Sequence, residues 1–259
     1  MIENIFREYD IRGIFKTELN EISVKAIGYE LGLEMKNRGV KTLSVGYDAR
    51  LSANSLFNWL VSGLNKAEIK IFDIGMLPTP VGYFSVFKDF FDANIMITGS
   101  HNPKNYNGFK VTIFKDSYFG RDLQILKTKV KNAIDNDIKI EDNFKTNKFD
   151  VLTPYIEYLT KSFEHLKDLN LKIVSDAGNG TAGIVLEKLK ENLSLNMEIL
   201  YPEPDGNFPN HHPDPSVEEN LKDLKEKLND GFKIGFGFDG DSDRIAVLTK
   251  NKNIKGDEL

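Results

Sequence analysis

The chain has 259 residues, 40% of them apolar and 28% charged, with no cysteine and a net charge of −5. This is the composition of a folded globular protein with enough chain for a sizeable core. It excludes a disulfide framework and thiolate metal sites, and the acidic balance argues against bulk nucleic-acid binding.

Along the chain, helix and strand signals alternate. Ile22, Ala26, Ile27, Leu31 and Met35 recur at helical spacing over residues 21–38, and Gly39 supplies a stop. Residues 42–47 form a short β-rich run, Ser52 offers a cap for a helix through 66, and 69–74 reads as a second strand. Thr79-Pro80 gives a third helix its N-cap and first position. Residues 93–98 make a fully apolar strand, 109–114 alternate like a strand beside it, and 121–135 carry an amphipathic helical pattern. Residues 136–150 are polar and aperiodic, which predicts a linker. Beyond it come a helix opened by Thr153-Pro154, a strand at 171–175, a helix at 182–192 and a strand at 197–201. A Pro-rich loop, a helix at 217–229 and a hairpin-like pair at 234–238 and 245–249 complete the series. The fold class is therefore α/β, with two successive units in which helices cover a sheet. No apolar run approaches the ~18 residues of a membrane span. The opening Met-Ile-Glu-Asn shows no secretory signal, so a cytoplasmic location with no membrane partner is expected, and the closing Lys-Gly-Asp-Glu-Leu is taken as coincidence.

Three loops carry chemistry. Asp239-Gly240-Asp241-Ser242-Asp243-Arg244 lies between the apolar runs IGFGF and IAVL. Three carboxylates at alternate positions of a turn repel one another unless a cation joins them, and hard oxygens suit Mg²⁺, Mn²⁺ or Ca²⁺. A solvated acidic turn is the plain alternative. An EF-hand would need Gly and Glu where Arg244 and Lys250 stand. An aspartyl-phosphate phosphotransferase would need partners downstream, and too little chain follows Arg244. The second loop, Gly178-Asn179-Gly180-Thr181-Ala182-Gly183, formally spells G-x-G-x-x-G after a strand, with Glu198 at a suitable distance. A nucleotide-binding oxidoreductase would use it, but any tightly packed β-to-α turn can spell the same pattern. The third is ITGSHNPKNYNGFK, residues 97–110. It lacks the G-x-S-x-G elbow of hydrolases. Ser100, His101, Asn102, Lys104, Asn107 and Lys110 crowd donors into a short stretch, which suits an anionic group such as a phosphoryl on Ser100; a polar turn capped by Ser100 and Asn102 is the alternative.

Taken together, these stretches resemble the α-D-phosphohexomutases of the phosphomannomutase/phosphoglucomutase type. TGSHNP with NGFK resembles the family's phosphoserine loop. DGDSDR resembles its metal loop, usually DGDGDR, with a mild change at Ser242. Residues 7–13 (REYDIRG) resemble its N-terminal active-site segment, and 46–50 (GYDAR) and 210–215 (NHHPDP) match further segments. The resemblance implies two three-layer α/β domains with mixed sheets flanked by helices. Domain I, with the phosphoserine loop, is expected over 1–146, domain II, with the metal loop, over 147–253, and the opening of a third domain over 254–259. Family members usually have four domains, so the chain is expected to be the first half of a longer enzyme, partnered by its missing domains III and IV and nearly inactive alone.

The resemblance further implies interconversion of hexose 6-phosphate and hexose 1-phosphate, of mannose or glucose, through a phosphoserine and a bisphosphorylated sugar. A phosphoglucosamine mutase and a non-catalytic sugar-phosphate or metal-binding module are the other readings. One Mg²⁺ per site and a sugar 1,6-bisphosphate activator are implied. The implied catalytic residues are Ser100, Lys110, His101, Arg12 and Arg244. Tyr9, Arg12, Asn102 and Lys110 would contact substrate, and Ser100, Asp239, Asp241 and Asp243 would hold the metal. The base stays open between Lys110 and His101, the resemblance favouring Lys110. His211 and His212 are read as turn or interface residues. Arg50 is read as a helix-start salt bridge, placed near the site only by resemblance. His165 is assigned nothing.

Overall fold

In the computed structural model, which describes residues 2–167 and 169–254, the chain divides into two α/β units. The first comprises residues up to Gly99 together with Lys104–Asp150; the second comprises Ser100–Pro103 together with residues from Val151 onward. Of the expected opening of a third domain, residues 255–259 lie outside the described residues.

The first unit runs β1 (Ile11–Ile14), α1 (Glu21–Asn37), β2 (Thr42–Tyr47), α2 (Ala53–Lys66), β3 (Lys70–Met76), α3 (Thr79–Phe87), β4 (Ala93–Ile97), β5 (Tyr106–Ile113), β6 (Asp116–Ser117), α4 (Arg121–Asp135) and β7 (Asn147–Lys148). Its mixed sheet has the order β1-β5-β4-β2-β3-β7, with β6 on β5. β4, β2, β3 and β7 are parallel, and β5 and β1 join antiparallel. β4 is buried along its whole length, as a parallel strand covered on both faces should be. Helices α1, α2 and α4 share one apolar core with the strands, and α3 packs on β2 and β4.

Several local expectations shift. Ile22 is 66% exposed; the core face of α1 runs through Val24, Ile27, Leu31 and Met35 instead. Asn20, not foreseen, caps α1 in a reciprocal box with Ser23. Ser52 precedes α2 but makes no side-chain cap: its backbone is helical (φ −77°, ψ −12°) where a cap is extended, and its hydroxyl accepts from Asn107 Nδ2 at 2.8 Å. The polar stretch 136–150 contains β7, which pairs with β3, and Phe149 packs edge-on against Phe72 and Phe91. The first unit therefore runs to Asp150.

The second unit runs α5 (Leu152–Ser162), β8 (Ile173–Asp176), α6 (Ala182–Asn192), β9 (Met197–Leu200), α7 (Lys222–Asn229), β10 (Ile234–Phe238), β11 (Ile245–Thr249) and β12 (Lys252–Ile254). Its sheet has the order β12-β11-β10-β8-β9, parallel over β10, β8 and β9 and antiparallel over β10, β11 and β12. Val174, Leu221, Leu224, Leu228, Phe232 and Leu248 form its core. The helix expected over 217–229 is split: a 3₁₀ turn, Glu218–Leu221, precedes α7. Among the described residues no helix is long and apolar enough to cross a membrane.

Candidate active site

β8 and β10 run parallel with Asp176 opposite Gly237, so both strands release the chain at the same end of the second sheet. That end is where ligand-binding loops gather in α/β sheets. From Phe238 the chain turns through residues 239–244 into β11. Asp239 Oδ1 accepts the N–H groups of Asp243 and Arg244, each at 3.1 Å, which curls the loop around a buried carboxylate. Asp239 and Asp241 are buried and Asp243 is exposed, with carboxylate oxygens of all three within 4.8 Å of one another. Ser242 takes a left-handed φ of 62°. Burial, then the Asp241 charge, push the Asp239 carboxyl up from 3.8 to about 7, against the opposing Ser100 hydrogen bond and Arg244 charge. An incoming cation removes that repulsion, and an all-oxygen, all-carboxylate donor set fits a hard divalent ion. The three aspartates can hold a metal.

Ser100 is fully buried, with a φ of 50°. Its hydroxyl donates to Asp239 Oδ2 at 2.5 Å. Arg244 Nη2 contacts both Ser100 Oγ and His101 Nδ1, and lies 3.1 Å from Asp239 Oδ2. The serine oxygen thus stands between a carboxylate that accepts its hydrogen bond and a guanidinium that can neutralise negative charge on it. Gly240 allows this approach: a Cβ there would lie 2.8 Å from the Ser100 carbonyl oxygen. The G-x-G-x-x-G loop is a buttress for the acidic turn. A Cβ on Gly180 would lie 2.7 Å from Gly240 O, one on Gly183 would lie 2.0 Å from Pro202 O, and Thr181 N–H donates to Gly240 O at 3.1 Å. Close backbone packing accounts for those glycines.

In the first unit, the chain leading to the serine is clamped by the 46–50 segment. Asp48 Oδ2 accepts from Thr98 Oγ1 at 2.8 Å and from Gly99 N–H at 3.0 Å. Arg50, buried, sits 3.3 Å from Asp48 and donates to the Tyr106 carbonyl at 2.9 Å. Tyr9 and Lys110 line one cavity of 360 Å³ together with Asp10, Tyr83 and Phe119. Arg12, buried on β1, is ion-paired with Asp10 at 2.5 Å. Tyr9 and Lys110, with Arg12 through Asp10, therefore form one group, and Ser100, His101, Asp239, Asp241, Asp243 and Arg244 form another within the second unit. Asn102 lies half-buried in the serine loop. The sequence reading missed the parts played by Asp48, by Asp176, whose carboxylate faces His211 Nε2 at 3.0 Å, and by His212, whose Nε2 faces the His101 carbonyl. All three act on residues far away in the chain, and the quoted motifs containing Asp48 and His212 were the only signal.

The pattern described as phosphoglucomutase/phosphomannomutase, alpha/beta/alpha domain I matches residues 3–149, and that of domain II matches 153–253. The phosphomannomutase/phosphoglucomutase of Pseudomonas putida is 39% identical over 253 residues, covering 97% of this chain and 53% of that protein. The phosphoglucomutase of Neisseria gonorrhoeae is 37% identical over 252 residues, covering 97% and 54%. The crystal structure of a phosphoglucomutase/phosphomannomutase family protein from Burkholderia thailandensis superposes with a TM-score of 0.87 at 37% identity, over 98% of this chain and 57% of that one. The chain spans about half the length of the curated relatives it matches. Matched over nearly its whole length by the two domain patterns, it belongs to the phosphoglucomutase/phosphomannomutase family.

Proposed function

We propose that the chain supplies the phosphoserine and metal-binding domains, 1–146 and 147–253, of a cytoplasmic phosphohexomutase that interconverts the 6-phosphate and 1-phosphate of mannose or glucose. The relatives extend beyond the two matched domains, and in this reading domains III and IV of the same enzyme complete the sugar site. The supporting observation is the Ser100 hydroxyl, 2.5 Å from Asp239 and in contact with Arg244.

In the resting state Ser100 carries a phosphoryl group. Asp239, Asp241 and Asp243, with an oxygen at Ser100, would hold a Mg²⁺ ion, which when bound would supply positive charge against the phosphoryl oxygens. A sugar hydroxyl attacks phosphorus, its O–P bond forms and the Ser100 O–P bond breaks. The hydroxyl proton passes to Lys110, with His101 as the other candidate. Arg244 stabilises the serine oxygen as it leaves, that oxygen takes a proton from water while the base returns its proton to solvent, and Asp239 accepts the hydrogen bond of the Ser100 hydroxyl so formed. Tyr9, Arg12 and Asn102 hold the sugar phosphate. The bisphosphorylated sugar then turns and returns its other phosphoryl group to Ser100, so no phosphate is gained or lost. A 1,6-bisphosphate from outside recharges an empty serine.

Incubation with glucose 1,6-bisphosphate and Mg²⁺ tests this reading by intact mass. One phosphoryl group is expected on the wild-type chain and none on Ser100→Ala. A Ser100→Ala chain that gains the same mass, or a wild type that stays unmodified even when joined to the rest of its own enzyme, rejects the reading.

A further inference from the structure

Beside the serine loop stands a chain of hydrogen bonds that the chemistry above does not use. It starts at Asp176, the last residue of β8. His211 Nε2 lies 3.0 and 3.2 Å from the two oxygens of that carboxylate, and His211 Nδ1 lies 3.0 Å from the His212 carbonyl. Both ring nitrogens face acceptors, an arrangement that favours the doubly protonated, cationic ring. Burial opposes this charge, but the hydrogen bond and charge of Asp176 prevail and raise the His211 pKa above its ordinary value. The His212 carbonyl also accepts the Asp214 N–H at 2.8 Å. The backbone at His212 is thus tied through the His211 ring to the end of β8 and closed locally by the turn to Asp214.

From that anchor the His212 side chain reaches the serine loop. Its Nε2 lies 2.5 Å from the carbonyl oxygen of His101. An imidazole nitrogen facing a carbonyl must be the protonated one. The neighbouring Ser100 is held in left-handed backbone, a conformation disfavoured for any residue that carries a side chain. Such a residue stays there only when its surroundings hold it. We propose that His212 is a positioning residue for Ser100: by donating to the His101 carbonyl from a backbone anchored through His211 and Asp176, it holds the serine hydroxyl against Asp239 and Arg244.

The activity arm of the test rests on the phosphoryl-transfer reading; the structural arm does not. His212→Leu removes the donor, and His212→Gln restores an N–H on a side chain of comparable reach. Two quantities are measured in the chain and both variants: amide hydrogen exchange at His101 and Asn102, and the rate of phosphoryl uptake by Ser100 from glucose 1,6-bisphosphate with Mg²⁺. In His212→Leu, exchange at these amides is expected to rise about tenfold or more and uptake to slow by about tenfold to a hundredfold, as small misplacements of a reacting group do. His212→Gln should recover most of both losses, and the core amides of Val174 and Leu248 should keep their protection in both. Unchanged loop exchange in His212→Leu overturns the proposal. So does equal damage in Leu and Gln variants that extends to the core amides, which marks a general structural role. If the wild type takes up no phosphoryl group while loop exchange still follows the His212 donor, the positioning role stands without the functional reading.

Discussion

Gly240 has no side chain, and that decides how closely the acidic turn approaches the serine. Its φ is not in the left-handed region, so alanine meets no backbone objection there; the obstacle is the Ser100 carbonyl oxygen, 2.8 Å from where a Cβ would stand. Backbone is slow to yield, and forced overpacking costs about 1–3 kcal/mol. Gly240→Ala is therefore expected to push the two loops apart, lowering stability by about that amount and slowing phosphoryl uptake at Ser100. Urea unfolding and intact-mass kinetics read the two effects, and a variant with wild-type uptake would show that the loops need not touch. At this scale the sequence was most informative where charge forces a conclusion. Asp239, Asp241 and Asp243 could be read as a group because three carboxylates crowded into one turn are costly in isolation. His212 could not, because a histidine in a Pro-rich loop carries no sign of which carbonyl it will meet. Asp48 was quoted within a motif, yet only coordinates reveal that it accepts from Thr98 and Gly99.

Among the elements, regular periodicity was legible and irregular pairing was not. The strands expected at 42–47, 234–238 and 245–249 and the helices at 121–135 and 182–192 have the bounds found. β7 was hidden, since a two-residue strand in a polar segment has no period, and its existence depends on the free edge of β3. Ser52 illustrates how a helix start can go uncapped: a residue type that favours caps has helical backbone here, and its hydroxyl accepts from the Asn107 amide of a distant strand. The opposite happens at Asn20, whose side chain accepts from Ser23 N–H at 3.1 Å while Ser23 Oγ accepts from Asn20 N–H at 3.0 Å. Asn20→Ala removes both the cap and its reciprocity and is expected to cost about 1 kcal/mol, with Asn20→Asp retaining most of the stability. Trp59, the sole tryptophan, is stacked on Phe15 and reports unfolding of the first unit by fluorescence. An unchanged urea midpoint in Asn20→Ala would mean that α1 is held by packing alone.

For the whole molecule, two α/β units in series were legible from the alternation of helix and strand signals, but the allegiance of the serine loop was not. It is expected within the first domain, and the domain I pattern spans it, while by its contacts Ser100–Pro103 group with the second unit. The meeting of positions 100 and 239 leaves no trace in local periodicity. The two units also differ in how pH acts on them. In the second unit burial lowers the His211 pKa, but its hydrogen bond and ion pair with Asp176 outweigh this, and the pKa lies above the ordinary 6.5. The folded state therefore holds a proton that the unfolded chain releases first. That stability is fully present below the unfolded pKa and is lost as pH rises through the folded one. Asp239, raised to about 7 chiefly by burial, adds a dependence of the same sign between the unfolded carboxyl range and neutrality. Urea unfolding followed by hydrogen exchange at Val174 and Leu248 is thus expected to show the second unit weakening from about pH 6 to about pH 8, while Trp59 fluorescence changes less. His211→Gln keeps a hydrogen-bonding side chain but cannot bind the proton, so it should flatten the slope without abolishing it. The variant will be less stable than the wild type at the acid end, where the lost ion pair counts fully, and closer to it at the alkaline end. A slope identical in the two proteins would show that Asp176 does not hold His211 as a cation.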